Sequence, residues 1–321
     1  MATTTPPVGV SGKVAAATAL GKRRADLFGT VLQGLLLLSL LICLAFIVVL
    51  IWTTISDGWV VFQERGLDFI TSGTSTQPEI TGVWQALLGS IYLGIFVIVI
   101  SFPLGIATAI YLEEYAPDNR MTRFVVLNIR NLAGVPSVVY GLLGLAIFVE
   151  LLGTDMGSDG GLTGGRSLLS GGLTLAVLVL PIVIITASEA LRAVPQSLRE
   201  GGYGVGATRW EVTRSLVLPN ALPGILTGTI LALARALGET APLILVGAFF
   251  GTFFVQPNQG ITDTLQGTYT ALPVLIFSWV GEAQREFKLE LAPAAILVLL
   301  GITLLFNLVA VLLRNRYDKT W

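Results

Sequence analysis

The sequence is short of histidine, cysteine and charge, and each shortage excludes a class of site or partner. A single cysteine, Cys43, cannot form a disulfide within the chain, and with no histidine a metal site built from His and Cys ligands is impossible. The net charge of −1 gives no acidic or basic excess that would indicate nucleic acid. Only 12% of the residues are charged, against about 25% in soluble domains, whereas 54% are hydrophobic. With a mean hydropathy of +0.81, the chain is predicted to be an integral membrane protein.

Apolar stretches predict an all-α membrane protein with six transmembrane helices. A helix needs about 20 apolar residues to cross about 30 Å of hydrocarbon. The first stretch is expected to stay as an anchor, because its apolar core is too long for a signal peptide. The six stretches, uncharged apart from two residues in the fifth, are Leu27–Ser56, Ile80–Leu112, Asn131–Val149, Ser167–Ser188, Ser215 to beyond Glu239, and Leu291–Leu313.

Lysine and arginine residues in the loops predict the orientation of these spans. With six crossings, both tails and alternate loops carry 14 basic residues, while the opposite loops carry only Arg65, Arg166, Arg285 and Lys288. By the positive-inside rule, both termini are then cytoplasmic. The predicted organisation is a cytoplasmic tail (1–26), a first span with an extracytoplasmic segment (27–80), a core of five further spans (81–313) that contains a cytoplasmic loop (190–220), and a second cytoplasmic tail (314–321).

Two segments outside the spans have a distinctive composition. The stretch Gly153–Gly165 ("GTDMGSDGGLTGG") is rich in glycine, which predicts a flexible connection. The stretch Ala271–Gly281 ("ALPVLIFSWVG") is apolar but too short to cross a membrane. We expect this second segment to lie at the membrane interface or to re-enter the protein surface.

The charges of the fifth span lie in the stretch "ALARALGET". Each charge costs at least about 2.5–3.5 kcal/mol at the membrane midplane, so an ionisable residue there is a candidate functional residue. Residues three or four apart share one face of a helix, and small residues on that face let a neighbouring helix approach closely. The two charges are therefore predicted to face protein or a water-filled path, and to pair across one turn. The face in question carries Gly224, Gly228, Ala232, Arg235 and Glu239.

Two interpretations of this pair are open from the residues alone. In the first, Arg235 and Glu239 form an internal salt bridge that fixes how the helix docks, and losing one partner leaves a costly buried charge. In the second, Arg235 belongs to an anion path, because its fork of donors suits phosphate or carboxylate, while Glu239 holds it in place. Tyr140 and Ser137 in the third span are weaker candidates for lining such a path, and we expect both to serve in packing.

The loop between the fourth and fifth spans has a defined order of charged, glycine and aromatic residues. Its sequence, "SLREGGYGVGATRWEVTRSLVLPNALPGI", predicts a short helix with Arg199 and Glu200 exposed, which flexible glycines interrupt. An amphipathic segment follows, and Leu218 and Pro219 are expected to turn the chain into the membrane. The alternative is an ordinary surface hairpin.

The spacing in this loop resembles the conserved cytoplasmic loop of bacterial ABC importer permeases, which is written E-A-A-x3-G-x9-I-x-L-P. Gly201 and Gly202 stand in place of the two alanines, which loosens a helix by about 1 kcal/mol each, and Leu216 stands in place of isoleucine. The resemblance implies a loop that couples the permease to an ATPase. Its residues are Glu200, Gly201, Gly202, Gly206, Leu216, Leu218 and Pro219.

Four further stretches narrow the resemblance to the membrane permeases of the phosphate-specific importer, in the A-type (PstA-like) form. The resemblance covers the chain from about Gly82 to its C-terminal end. The stretches are "AGVPSVVYGLLG" (133–144), "SEALRAVPQSLRE" (188–200), "LPGILTGTILALARALGETAPLILVG" (222–247) and "ALPVLIF" (271–277).

The resemblance implies the type I permease (MetI-like) fold and a transport role without catalysis. Such a permease would form a phosphate path with a second, PstC-like permease, and would couple to two ATPase subunits (PstB-like). An extracytoplasmic phosphate-binding protein (PstS-like) would deliver the substrate. The chain would lie among the lipids of the bacterial cytoplasmic membrane and bind no cofactor itself, leaving ATP and Mg to the ATPase subunits. The sequence agrees, since it contains no G-x-x-x-x-G-K-[ST] phosphate-binding loop.

Other functions are compatible with the same residues. Sulfate and molybdate are similar oxyanions, which these residues do not distinguish from phosphate. A secondary carrier could use Arg235 and Glu239 as a charge relay and would need no ATPase. A membrane scaffold or sensor could dock partners through the cytoplasmic loop and transport nothing.

Overall fold

The structure is a computed structural model that describes residues 27–153, 161–248 and 261–317. All regular elements in these ranges are helices, as the sequence predicted. The chain divides into two units, residues 1–53 and 54–321, with the boundary inside the first helix. Residues 154–160 of the predicted flexible stretch Gly153–Gly165, and residues 249–260, lie outside the described ranges.

Twelve helices are described. Four of them include π-helical turns, and the last of these four begins with such a turn at Phe287–Leu291. In chain order the helices are α1 (Leu27–Arg65), α2 (Asp68–Thr71), α3 (Trp84–Tyr115), α4 (Arg120–Ala133), α5 (Ser137–Leu151), α6 (Leu168–Arg192), α7 (Gln196–Gly204), α8 (Arg209–Gly238), α9 (Ala241–Leu245), α10 (Ile261–Gln266), α11 (Leu272–Val280) and α12 (Phe287–Leu291 running into Ala292–Tyr317).

Five of these helices, α1, α3, α6, α8 and α12, are long and apolar enough to cross a membrane. The predicted third span is different, because α4 and α5 meet at an angle of 101° and pass the same test only when taken together. Pro136 lies at this bend; its ring lacks an N–H and disfavours helical geometry in the residue before it. The cytoplasmic placement of both termini and the division of the chain into segments stay predictions.

The central helix of residues 54–317 is α6, which contacts α3, α4, α5 and α8. Its side chains Leu175, Val179 and Val183 lie in an apolar cluster with residues of α3 and α8. Ser167 caps its first turn, since the Ser167 hydroxyl accepts a hydrogen bond from the Ser170 N–H at 3.2 Å. Among the five long apolar helices, α6 has the largest buried share of its apolar stretch.

Small residues bring α8 close to α6, as their spacing predicted. A Cβ added at Gly224 would lie 2.8 Å from the Ala190 Cβ, and one added at Gly228 would overlap Thr186. Ala232, four residues further along α8, is buried in an apolar cluster that also contains side chains of α6. Close approach of backbones is how membrane helices pack without a hydrophobic driving force between them.

The short apolar stretch Ala271–Gly281 forms α11, which packs inside the protein rather than on its surface. Leu272, Leu275 and Trp279 are fully buried and share a cluster with side chains of α2 and α12. The Trp279 ring lies 5.6 Å from the Phe287 ring, measured between centroids. Of the two expected locations, the burial of these side chains favours re-entry into the protein, and the location at the membrane interface stays a prediction.

Candidate functional site

The predicted pair of charges exists, but it bridges a helix end instead of one helical turn. The Arg235 Nε atom lies 3.3 Å from the Glu239 Oε1 atom. α8 ends at Gly238, and Glu239 has extended backbone angles (φ −76°, ψ 123°). The prediction that Glu239 continues the helical face of Gly224 and Gly228 is therefore wrong, while the prediction that it pairs with Arg235 is confirmed.

The sequence around Pro242 explains this helix end. Proline suits the first turn of a helix, and Pro242 occupies that turn in α9. Gly238 precedes the break and has low helix propensity. α9 then packs on α5, where a Cβ at Gly141 would lie 2.7 Å from the Cα of Pro242. A break between two helices, α8 and α9, therefore lies beside the two charges.

The two charges differ in their access to solvent. The side chain of Arg235 is 48% exposed and that of Glu239 is 16% exposed. Arg235 also lies in the last turn of α8, where the helix dipole favours a positive charge. Glu239 contacts the Nε edge of the guanidinium, which has five N–H donors, so the remaining donors of Arg235 can bind an anion.

The two weaker candidates in the predicted third span lie at the bend. Tyr140 is 5% exposed, and its hydroxyl donates a hydrogen bond of 2.9 Å to the Leu132 carbonyl on the other side of the bend. Ser137 is half-buried at the start of α5. The expectation that Tyr140 serves in packing is confirmed by its burial.

The predicted coupling loop consists of α7, a turn at Gly206 and the first turns of α8. Gly206 has φ +85°, a left-handed conformation that favours glycine. Thr208 then starts α8 with a capping box, in which its N–H donates a 2.8 Å hydrogen bond to Glu211 Oε2. Glu200 and Gly201 are exposed on α7, as expected for a docking surface.

The course of α8 differs from the prediction for this loop. α8 runs without interruption from Arg209 through Leu218 and Pro219, so these residues do not turn the chain. A π-helical turn at Thr213–Val217 precedes Pro219, and its wider backbone leaves room for the proline ring. Leu216, half-buried in that turn, faces Gly202, since a Cβ there would lie 2.9 Å from Leu216 Cδ1.

Arg199 is not exposed, in contrast to the prediction, because it forms an ion pair with Glu114 at the end of α3. The Arg199 Nη2 atom lies 2.8 Å from Glu114 Oε1, and the two side chains are 12% and 5% exposed. A second pair joins Arg192 to Glu113 at 2.7 Å. Sequence reasoning missed both glutamates, although two adjacent carboxylates at the end of an apolar stretch, "YLEEY", were a usable signal.

An exposed ion pair joins Asp118 to Arg123 in the connection between α3 and α4. The Arg123 Nε atom lies 2.9 Å from Asp118 Oδ1, and both side chains are mostly exposed. The hydrogen bond and charge of Arg123 hold the pKa of the Asp118 carboxyl below its usual value. Within the described residues, no group of three or more His, Cys, Asp or Glu side chains is placed to hold a metal ion.

Comparison with protein families identifies the chain. Residues 101–320 match the family described as "Binding-protein-dependent transport system inner membrane component". The chain belongs to this family. It is therefore a multi-pass inner-membrane permease subunit of an ABC importer, a class in which the permease works with a second permease.

Curated relatives match most of the chain. The phosphate transport system permease protein PstA 1 of Mycobacterium tuberculosis (strain ATCC 25618 / H37Rv) is 32% identical over 86% of this chain and 84% of its own length. The PstA protein of Xylella fastidiosa (strain 9a5c) is 34% identical over 82% and 85% of the two chains. The PstC protein of Mesorhizobium japonicum is 30% identical over 82% and 83%.

Solved structures share the fold. A permease chain from a bacterial ABC transporter involved in the import of the acidic polysaccharide alginate superposes with a TM-score of 0.61 and 16% identity. This match covers 91% of the present chain and 99% of that one. Inward-facing MetNI methionine ABC transporter chains superpose with a TM-score of 0.50 at 17% identity, covering 74% and 95%. These likenesses confirm the predicted MetI-like fold.

Proposed function

We propose that this chain is the A-type permease subunit of an ATP-driven importer of inorganic phosphate. The observation that carries the proposal is the set of relatives named phosphate transport system permeases, which are 30–35% identical over 70–86% of the chain. A PstC-like permease would complete the translocation path. Two PstB-like subunits would hydrolyse ATP with Mg, and a PstS-like protein would deliver phosphate, so this chain would bind no cofactor and catalyse no reaction.

Arg235 is the residue that we assign to the anion path. Glu239 holds one edge of its guanidinium at 3.3 Å, and nearly half of the Arg235 side chain stays accessible. The free donors can bind a tetrahedral oxyanion in a low-dielectric path. Glu239 compensates the arginine charge until the anion arrives and repels the bare anion afterwards, which keeps binding weak enough for release.

The exposed face of α7 is the surface that we assign to the ATPase. Glu200 and Gly201 lie on this face; Glu200 matches the motif of ABC importer coupling loops, and Gly201 stands at its first alanine. In this proposal, closure of the ATPase subunits on ATP displaces α7 and the helices attached to it as a rigid body. The displacement would open the path between the two permeases to one side of the membrane at a time.

Uptake of labelled phosphate into proteoliposomes that contain the full complex tests the proposal. We expect uptake that needs ATP and the binding protein and that excess sulfate or molybdate does not reduce. Uptake of sulfate or molybdate in place of phosphate would contradict phosphate as the substrate but would still be consistent with an ABC importer. Uptake driven by an ion gradient without the ATPase subunits would indicate a secondary carrier. ATP hydrolysis that no substrate stimulates would indicate a scaffold or sensor.

A further inference from the structure

Arg199 connects three parts of the protein through hydrogen bonds of its guanidinium. It belongs to α7, and its Nη2 atom donates to Glu114 Oε1 of α3 at 2.8 Å. The same nitrogen donates to the Leu191 carbonyl at 2.9 Å, and Nη1 donates to the Val194 carbonyl at 2.8 Å. These carbonyls lie at the end of α6 and in the linker after it. One side chain therefore ties α7 to the ends of two membrane-spanning helices.

The backbone of α3 presents the carboxylate for this contact. Glu114 lies in a π-helical turn, Tyr111–Tyr115, which the Ala116 N–H closes by a 2.8 Å hydrogen bond to the Tyr111 carbonyl. π-helical turns inside α-helices occur frequently at functional sites. The turn carries two successive glutamates, and each pairs with an arginine of another helix. Glu113 pairs with Arg192 of α6, and Glu114 pairs with Arg199 of α7.

Burial makes the Arg199–Glu114 pair more than a surface contact. Its two side chains are 12% and 5% exposed, whereas Arg192 in the neighbouring pair is 51% exposed. Separating a buried pair leaves uncompensated charge in a poorly hydrated place, so the pair resists opening during a conformational change. In the Arg192–Glu113 pair the carboxylate is 13% exposed, but water reaches the half-exposed Arg192 and weakens the pair.

α7 contacts α3 and α8 by different means. On α8, the contact is apolar, because Gly202 packs against Val212 and Leu216. On α3, the tie is ionic and depends on Glu114. α3 also lies far from α7 along the sequence, since the paired residues are 85 positions apart. Chain connectivity therefore attaches α7 to α6 and α8, whereas the ion pair links α7 directly to α3, which otherwise reaches α7 only through its packing on α6.

We propose that the Arg199–Glu114 pair is the joint through which displacement of α7 moves α3 together with α6. Arg199 and Glu114 are then positioning residues for transport and touch no substrate. This inference rests on the proposed function, in which α7 receives the movement of the ATPase. Without the joint, α7 would still dock and ATP would still be hydrolysed, but α3 would follow α7 only indirectly, through its packing on α6.

The ratio of uptake to ATP hydrolysis tests the joint in the reconstituted complex. Glu114→Gln keeps the shape of the side chain and removes its charge, and Arg199→Lys keeps the charge and removes the fork. In both variants we expect ATP hydrolysis near the wild-type rate and uptake per ATP lower by about fivefold or more. The matched control is Arg123→Gln, which removes an exposed pair and should leave the ratio unchanged. Uptake and hydrolysis that fall in proportion, or a ratio like that of the control, would overturn the proposal.

A distance measurement tests the joint without any transported substrate. Spin labels at Tyr111→Cys and Gln196→Cys, both exposed positions, report the separation of α3 and α7 in a Cys43→Ala background. We expect one distance in the nucleotide-free and ATP-trapped complexes of the wild type, and two different distances in Glu114→Gln. A wild-type distance that changes with nucleotide would refute the joint. If the wild-type complex takes up no phosphate but this distance stays constant, the assignment of phosphate as the substrate is wrong and the proposed link between α3 and α7 is not contradicted.

Discussion

Gly202 lies so close to Val212 that a Cβ added at residue 202 would come within 2.8 Å of the Val212 Cγ2 atom. A Cβ added at the preceding residue, Gly201, would meet no atom of a neighbouring residue within 4 Å. The two glycines that stand in place of alanines in the coupling motif therefore have different roles. Gly202 lets α7 approach α8, and Gly201 leaves α7 less stable than alanine would.

Substitutions at these two glycines should have opposite effects on stability. Gly201→Ala should stabilise the protein by about 0.5–1 kcal/mol, because alanine loses less backbone entropy in a helix. Gly202→Val should destabilise it by about 1–3 kcal/mol through overpacking against Val212 and Leu216. Thermal unfolding of the purified protein in detergent measures both shifts. Shifts of equal sign would show that α7 and α8 are not in contact as described.

The contact between α8 and α6 should be sensitive to the size of residue 228. Gly228→Leu should lower the midpoint of thermal unfolding strongly, because its side chain would overlap Thr186 and separate the helices. Gly301→Ala in α12 is the matched control, since a Cβ there meets no neighbouring atom within 4 Å. If Gly228→Leu unfolds at the temperature of the control, the two helices do not approach each other at this point.

A series of charge variants tests the role of Arg235. In Arg235→Gln combined with Glu239→Gln, no charge remains unpaired, so the complex should assemble. Phosphate uptake should still fall by about tenfold or more, because a hydrogen bond to a charged group is worth about 1.5–3 kcal/mol. Uptake into proteoliposomes, with assembly checked on the same preparation, is the measurement.

Two further variants of this pair separate a path from a structural salt bridge. The exchanged pair, Arg235→Glu with Glu239→Arg, keeps a salt bridge but moves the guanidinium to the extended residue, so we expect assembly without transport. Each single neutral variant should assemble less well than the double variant. Transport restored in the double neutral variant would mean that the pair only fixes the docking of α8.

The bend between α4 and α5 should tolerate the loss of one hydrogen bond. Tyr140→Phe removes the bond from the Tyr140 hydroxyl to the Leu132 carbonyl and should cost about 1 kcal/mol of stability. Transport should persist, because Tyr140 packs at the bend. Uptake and thermal unfolding of the variant measure the two effects. A loss of uptake with unchanged stability would place Tyr140 in the path after all.

The helices and the small-residue contact were predictable because they depend on residues close together in sequence. Gly224 and Gly228 lie four apart, so their shared face follows from helical geometry alone. The end of α8 was not predicted, since Arg235 and Glu239 fit helical spacing equally well. Gly238 and Pro242 carried the signal for the break, but propensity is weaker evidence than an uninterrupted apolar pattern.

The partner of Arg199 could not be predicted from the sequence. Its carboxylate belongs to Glu114, and the two residues meet only because α3 packs on α6. An arginine followed by a glutamate in a polar loop is typical of an exposed helix, which is what the sequence suggested. Long-range ion pairs depend on tertiary packing, so this part of the site needed the structure.

Because α4 and α5 meet at an angle of 101°, the two helices cannot both run along the membrane normal. If α5 crosses the membrane, α4 runs along its face, with the exposed Arg120 on one flank and the exposed side chains of Met121 and Phe124 on the next. Such a helix is anchored by acyl chains and by anionic headgroups together. Headgroup charge and lateral pressure then act directly on a helix that also touches α6. In that arrangement, the composition of the bilayer would act on the contact between α4 and α6.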